Sequence, residues 1–142
     1  MVRAAPLSIY LPTTINNVQV NFIVDTGAQS TSITEEVAQA TSISRVLNDA
    51  VKTEVSGVGK GMTVGFVQSC DLCIQGEYFP LHCQVMPTST MSGVCLLGLD
   101  FLKEYRGIID LVQQKLTLEL NGKKIEVDFV FGNVSEVPCA DV

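Results

Sequence analysis

The sequence predicts an all-β domain with one or two short helices. Short apolar runs rich in β-branched residues recur along the chain, and turn-forming residues separate them. Hydrophobic residues make up 46% of the 142 residues and the mean hydropathy is +0.32, which is typical of a chain with a buried core rather than of a disordered one. We expect one domain over residues 1–142, with its core over about 7–131 and a loose tail over 132–142.

Three strands and a helix are predicted before residue 41. The strands are Leu7–Leu11, Val18–Val24 and Thr31–Ile33. A polar turn over residues 13–17 joins the first two. Thr34 is followed by two glutamates and is predicted to be the N-cap of a helix over Glu35–Ala40, because an N-cap hydroxyl accepts a backbone N–H and acids stabilise a helix N-terminus. Residues 41–50 show no clear pattern.

Two hairpins are predicted next. The first joins Val51–Val55 to Met62–Cys70 around Gly57–Gly61, whose three glycines make a pliable tip. The second consists of Leu72–Ile74, a turn over 75–77 and Phe79–Met86.

The last part of the chain predicts one helix among strands. Leu99–Tyr105 fits a short helix, since Leu99 and Leu102 share one face and Asp100 lies near the N-terminus. Asn121-Gly122 is the strongest hairpin signal in the sequence. The strands predicted around these features are Val94–Leu97, Ile108–Leu111, Leu116–Leu120 and Ile125–Phe131.

Charge and composition argue against several classes of partner. The formal net charge is −6 and the densest basic cluster is Lys123-Lys124, so we expect no nucleic-acid partner. Since no apolar run is long enough to cross a bilayer, we expect no membrane partner. The five cysteines are unevenly spaced and the N-terminus lacks the apolar region of a signal peptide, so we expect reduced thiols in a cytoplasmic protein.

The candidate catalytic motif is Asp25-Thr26-Gly27, which occurs once. An apolar run leads to the acid, and Gly27 allows a sharp turn after it. Two carboxylates about 3 Å apart cannot both ionise easily and share one proton. The ionised acid then takes a proton from water while the neutral acid protonates the scissile carbonyl oxygen, so this chemistry needs no cofactor. Because the chain supplies one such acid, we expect the second to come from an identical chain in a homodimer.

The tripeptide also fits an ordinary turn, because Asp, Thr and Gly all favour turns. Three neighbouring features favour the catalytic interpretation instead. They are the apolar run before the acid, the glycine-rich hairpin at Gly57–Gly61, and the segment Cys95–Asp100, in which an apolar strand ends at a glycine and leads into a helix.

In this order, the motifs resemble those of retropepsins, the aspartic proteases of retroviral type. The segments Phe22–Gln29, Gly57–Gly59, Leu96–Leu102, Ile109–Leu111 and Glu136–Pro138 resemble more closely the protease-like domain of the DNA-damage-inducible ubiquitin-shuttle proteins. The resemblance covers roughly residues 7–138. It implies a retropepsin-like acid protease fold, which is a closed β-barrel-like half-lobe that a homodimer completes. It also implies a domain excised from a longer cytosolic protein that carries ubiquitin-related domains.

The resemblance implies a role for each candidate site residue. Asp25 is the catalytic acid of each subunit, and Thr26 and Gly27 hold its geometry. Ala28 and Gln29 line the floor of the cleft. The flap that closes over an extended peptide substrate contains Gly57, Val58, Gly59 and Gly61.

Two positions depart from the viral pattern. Retroviral enzymes carry an acid where this chain has Gln29, and an arginine where it has Leu99. The ionic brace of the viral dimers is therefore missing, and viral substrate preferences do not transfer. The segment 116–131 is longer than a viral C-terminus requires, which predicts a different terminal sheet at the dimer interface.

Other sites are weaker. Cys70, Cys73, His82 and Cys83 have the number of ligands for zinc, but His82 and Cys83 are neighbours on a predicted strand and point to opposite faces, so we expect no metal site and a surface histidine. Asp100 fits a role at the helix N-terminus better than that of a second catalytic acid.

The resemblance implies endoproteolysis of ubiquitinated or proteasome-destined proteins. The alternative is a catalytically weak or inactive dimerisation or peptide-binding module in a ubiquitin–proteasome shuttle. The intact Asp25-Thr26-Gly27 motif favours the enzyme, since two abutting acids cost stability in a pure scaffold.

Overall fold

A computed structural model describes residues 7–49, 54–55, 61–89 and 93–133. Within these ranges the strands are β1 Ser8–Ile15, β2 Val18–Val24, β3 Ser32–Thr34, β4 Leu47–Asn48, β5 Glu54–Val55, β6 Gly61–Met62, β7 Gly65–Ile74, β8 Glu77–Met86, β9 Cys95–Leu97, β10 Ile108–Asp110, β11 Lys115–Leu120, β12 Lys123–Asp128 and β13 Val130–Gly132. The helices are α1 Glu35–Ala40 and α2 Leu99–Glu104, with a 3₁₀ turn at Ile43–Val46.

Six strands close into a barrel in the order β1-β2-β9-β3-β8-β7. Closure comes from β7, which pairs back onto β1 where Thr14 faces Cys73. β13 extends the sheet beside β1, and β4 extends it beside β7. A separate three-stranded sheet has the order β10-β11-β12. The predicted all-β class with short helices is therefore confirmed.

The insertion of β9 between β2 and β3 positions the site. β9 runs parallel to β2, with Ile23 facing Leu96, and antiparallel to β3, where Ser32 faces Leu96. The chain leaves β2, passes through a loop and returns as β3, and a segment far along the sequence then fills the gap between the two strands. The loop after β2 is thereby held against the start of α2.

Aromatic rings attach α2 to the barrel. Phe101 and Tyr105 contact each other with ring centroids 4.8 Å apart, and Tyr105 meets Phe79 edge-on at 5.1 Å. The Tyr105 hydroxyl donates to the carbonyl of Pro80 on β8. Phe79 and Phe101 are almost completely buried. The position of α2 is therefore set by packing on β8 as well as by its own backbone.

Several local predictions are confirmed. α1 spans Glu35–Ala40, and the Thr34 hydroxyl accepts the N–H of Val37 at 3.1 Å. The hairpin of β7 and β8 turns at Gln75-Gly76, where both residues have positive φ, of 47° and 86°. α2 begins at Leu99 as predicted and ends one residue early, at Glu104.

Several predicted strand boundaries are wrong. The predicted strands Met62–Cys70 and Leu72–Ile74 are largely one strand, β7, while Met62 ends the separate strand β6. β1 continues to Ile15, and a two-residue turn of Asn16 and Asn17, with φ of 50° and 68°, replaces the longer polar turn. Thr13 belongs to the strand because its buried hydroxyl donates to the carbonyl of Val20 at 2.7 Å. The predicted strand 125–131 is two strands, which Phe129 separates.

Three further predictions concern the C-terminal tail, the segment 41–50 and the absence of a membrane-spanning helix. Gly132 belongs to β13 rather than to a tail, and residues 134–142 lie outside the described residues. The unassigned segment 41–50 contains the 3₁₀ turn and β4. Neither α1 nor α2, the helices of the described ranges, has the length and apolar character to span a membrane.

Candidate active site

The loop after β2 holds Asp25 by backbone hydrogen bonds. The N–H of Asp25 donates to the carbonyl of Leu97 on β9 at 2.9 Å, which extends the pairing of the two strands. The N–H of Ala28 donates to the carbonyl of Asp25 at 3.2 Å. The backbone around the half-buried acid is therefore fixed on both sides.

Gly27 is the residue closest to the acid's side chain. Its N–H donates to Oδ1 of Asp25 at 2.9 Å. A Cβ at this position would lie 3.2 Å from the same oxygen. A hydrogen bond to a carboxylate is charge-assisted, so this contact orients the Asp25 side chain as well as its backbone.

The start of α2 packs directly against this loop. The N–H groups of Leu99 and Asp100 donate to the carbonyls of Ala28 and Gln29, at 2.8 and 3.1 Å. These N–H groups belong to the first turn of α2 and have no acceptor within the helix. The loop therefore supplies the acceptors that the helix N-terminus lacks, and the helix in turn fixes the loop.

The carboxylate of Asp100 on α2 also binds the loop that carries Asp25. Oδ1 of Asp100 accepts the hydroxyl of Thr31 at 2.8 Å and the N–H of Phe101 at 2.7 Å, and both of its oxygens lie 3.0 Å from the N–H of Thr31. The same Thr31 hydroxyl accepts the N–H of Gly98 at 3.1 Å. Thr31 is completely buried. The loop that carries Asp25 is thus tied at its far end to α2.

The predicted role of Asp100 at the helix N-terminus is therefore correct but incomplete, and Thr31 is a site residue that sequence reasoning missed. Asp100 and Thr31 are 69 positions apart. An acid in a first helical turn gives no sign of a distant partner, and a threonine in a β-rich chain is unremarkable. In this chain, the brace that an arginine and an acid provide in the viral pattern is absent at Leu99 and Gln29, and Asp100 ties the loop through hydrogen bonds instead.

Replacing Thr31 by valine should lower the free energy of unfolding by about 1–3 kcal/mol. The change keeps the shape of the side chain but removes the hydroxyl, which leaves the N–H of Gly98 without its acceptor and Asp100 with one donor fewer. Urea denaturation would measure the loss. Thr14→Val makes the same change on β1, where the structure assigns no hydrogen bond to the hydroxyl among the described residues, and should cost much less. Equal losses would show that Thr31 does not brace the loop.

The other candidate residues lie around the acid or outside the described chain. Thr26 and Gln29 are exposed, and Ala28 is half-buried. Gly61 begins β6, which pairs antiparallel with β5 so that Val55 faces Gly61. The stem of the predicted flap hairpin is therefore present. Its tip residues, Gly57, Val58 and Gly59, lie outside the described residues.

Of the residues considered for zinc, His82 and the pair Cys70 and Cys83 have different neighbours, and Cys73 faces Thr14 and Tyr78 on the adjacent strands. His82 faces Asp100 and Glu104 on α2. Cys83 is buried and donates a hydrogen bond to Cys70. This hydrogen bond and burial raise the pKa of Cys83 well above its usual value, and the same hydrogen bond lowers the pKa of Cys70 against the opposing effect of burial. In the part of the chain that the structure describes, no three His, Cys, Asp or Glu side chains are grouped as a metal site.

Comparison with known proteins places this geometry in a family. Residues 3–110 match the family model of aspartyl proteases. DNA damage-inducible protein 1 of Saccharomyces cerevisiae is 33% identical over 110 residues, which are 78% of this chain and 25% of the yeast protein. The UBA domain-containing protein Mud1 of Schizosaccharomyces pombe is 32% identical over 130 residues, which are 92% of this chain and 37% of that protein.

A solved structure shares the fold. The crystal structure of the retroviral protease-like domain of Ddi1 from Leishmania major matches with a TM-score of 0.74 and 29% identity, over 90% of this chain and 96% of that one. The chain spans about a quarter to a third of the length of the curated relatives above. Family match, relatives and shared fold agree with the Asp25 loop: the chain belongs to the aspartyl protease family, as a retropepsin-like domain of the DNA-damage-inducible type.

Proposed function

We propose that this domain is an aspartic endopeptidase whose active site forms between two copies of the chain. The observation that supports it most is the Asp25 loop, in which Gly27 orients one carboxylate, β9 holds the backbone at the acid and α2 holds the backbone after it. One chain supplies one such acid, and hydrolysis of this type needs two. A symmetric dimer places the same residue of each copy on either side of its two-fold axis, so it can bring both Asp25 side chains together.

In the proposed reaction, the two Asp25 carboxylates share one proton. The ionised member accepts a proton from water, whose oxygen attacks the carbonyl carbon of the peptide bond. The neutral member protonates the carbonyl oxygen, which gives a tetrahedral intermediate. The pair then donates its proton to the amide nitrogen and takes one back from a hydroxyl of the intermediate as the C–N bond breaks, so the two carboxylates again share one proton. Thr26, which is exposed beside the acid, would brace the two loops against each other in the dimer.

We propose an extended peptide as the substrate. The hairpin of β5 and β6 would close over it, with Ala28 and Gln29 below, so that the peptide adds main-chain hydrogen bonds as a strand does. The UBA domain named in one relative supports a link to ubiquitin, and we propose ubiquitinated or proteasome-destined proteins as the substrates and a cytoplasmic location. The ubiquitin link would come through segments of the relatives that this chain does not cover.

The second copy would dock through the segment after α2. Ile108, Leu111 and Val112 are exposed by 59, 57 and 93%, and β10 is an edge strand of its sheet. An exposed apolar edge is a site for pairing with another chain. Three residues, 105–107, separate this segment from α2, the helix that holds the Asp25 loop, so a partner bound here lies close in sequence to that helix.

Ile108→Asp should weaken dimerisation by at least about tenfold, because a charge in the centre of an interface must lose its water. Sedimentation equilibrium over a range of concentrations measures the change. Val46→Asp places the same charge at a residue of similar exposure, 58%, on the 3₁₀ turn, and should leave the dimer intact. If Ile108→Asp leaves the dimer unaffected, this surface is not the interface. If the wild-type chain is a monomer at all concentrations, the proposed function is rejected.

Cleavage of a peptide mixture between pH 4 and 7, with Asp25→Asn as the control, tests the proposed function directly. Activity in the wild type that the variant lacks supports the endopeptidase. Binding of a peptide with a central hydroxyl, which mimics the tetrahedral intermediate, provides a second readout, because it depends on an assembled dyad. Equal cleavage by both proteins would reject the proposal. Peptide binding without turnover in either protein would favour the binding module instead.

A further inference from the structure

His82 on β8 lies against the carboxylate that braces the Asp25 loop. Its Nε2 is 3.7 Å from Oδ2 of Asp100, and its Nδ1 is 4.0 Å from Oε2 of Glu104. The side chains of His82 and Asp100 are 41% and 23% exposed. The ring of Phe66 on β7 lies beside the imidazole, with ring centroids 6.3 Å apart. The histidine is therefore held between β7 and α2 with both nitrogens directed at acids.

The two oxygens of Asp100 have different surroundings. Oδ1 accepts the Thr31 hydroxyl and the N–H of Phe101, whereas Oδ2 shares the N–H of Thr31 and faces His82. Among the described residues, His82 is the one basic side chain that pairs with Asp100. A positive charge there attracts the oxygen that the hydrogen bonds leave least occupied.

We propose that His82 is a positioning residue for the reaction, and that its protonated ring holds Asp100 in the orientation that fixes Thr31 and the Asp25 loop. Histidine gains its charge between about pH 5 and 8. The charged groups that face it are Asp100 and Glu104, both on α2 and both acidic, while β7 contributes the uncharged ring of Phe66. The loop should therefore be tighter at acidic than at neutral pH. The catalytic part of this inference rests on the proposed function.

Hydrogen exchange of single amides in the full chain, measured by NMR, tests the inference without any need for cleavage. The reporter is the N–H of Thr31, which donates to Asp100. After correction for intrinsic rates, its protection in the wild type should be roughly threefold higher at about pH 5.5 than at about pH 7.5, as suits a partly exposed ion pair. In His82→Gln this difference should vanish. His82→Lys, which keeps a positive charge at both pH values, should restore protection at both.

The N–H of Val37, which the hydroxyl of Thr34 caps in α1, serves as the control amide and should not respond to any change at His82. The same pH dependence at Thr31 in wild type and His82→Gln would overturn the inference, as would an equal response at Val37. If peptide cleavage is found, the rise of kcat from neutral to acidic pH should be smaller in His82→Gln, with KM unchanged. If cleavage is absent while Thr31 responds as expected, the proposed function and the catalytic part of this inference fail, and the effect of His82 on the Asp25 loop remains.

Discussion

Mixtures of wild-type and Asp25→Asn subunits should lose peptidase activity faster than the wild-type share falls. In an equal mixture that has refolded together, about a quarter of the dimers carry two aspartates, although half of the subunits are wild type. If one acid comes from each subunit, activity should fall to about that quarter. Pure Asp25→Asn dimers should lose roughly a hundredfold to ten-thousandfold in kcat, because asparagine can neither take up nor release the shared proton.

Asp71→Asn is the matched control, since it makes the same change at an exposed residue of β7. Mixtures of wild type with this variant should keep full activity at every ratio. Activity that falls only in proportion to the wild-type share in the Asp25→Asn series would mean that each chain carries a complete site. Such a result would reject the dyad between subunits even if the protein cleaves peptides.

Gly98→Ala should lower the free energy of unfolding by about 3 kcal/mol or more and the Tm by roughly 10 °C. A Cβ on Gly98 would lie 2.6 Å from the carbonyl carbon of Ser30 and 2.9 Å from the carbonyl oxygen of Ala28. Both atoms belong to the backbone of the Asp25 loop, so no side-chain rotation relieves the clash. The backbone of Gly98 is extended, with φ of −94°, and the cost is therefore one of space rather than of conformation.

Gly107→Ala is the control for this substitution. A Cβ there would lie 3.2 Å from Cδ2 of Leu102, the end of a flexible side chain that can move aside. Differential scanning calorimetry should show a shift of at most a few degrees for Gly107→Ala and a much larger one for Gly98→Ala. Similar shifts in the two variants would mean that the loop and α2 are not packed as tightly as the distances indicate.

Features that depend on neighbouring residues could be predicted from the sequence. The N-cap at Thr34, the start of α2 after Gly98 and the β7–β8 turn each carry a local chemical signal. The predicted turn over 13–17 was too long because Thr13 and Thr14 are common in both turns and strands. Thr13 is in a strand because it is buried against β2, where its hydroxyl bonds to Val20. A short window of sequence does not show that contact.

In the candidate site, too, local contacts could be predicted from the sequence and long-range contacts could not. Asp25 and Gly27 lie in one tripeptide, so their contact follows from the local pattern. The tie of Asp100 to Thr31 and the approach of His82 join three elements that are far apart in the chain, and they exist only because β9 and α2 meet the loop in space. Propensity and periodicity describe positions a few residues apart, so neither can indicate such a pairing.

The insertion of β9 between β2 and β3 bears on how the protein is made. During synthesis, a nascent chain that has emerged only as far as β8 has the Asp25 loop but lacks β9 and α2, which hold that loop from 69 positions downstream. Contacts of such long range form late, because the intervening chain must first be ordered. The ribosome therefore releases nearly the whole domain before the acid acquires its geometry. An active site of the proposed kind is therefore incomplete in the unfinished chain.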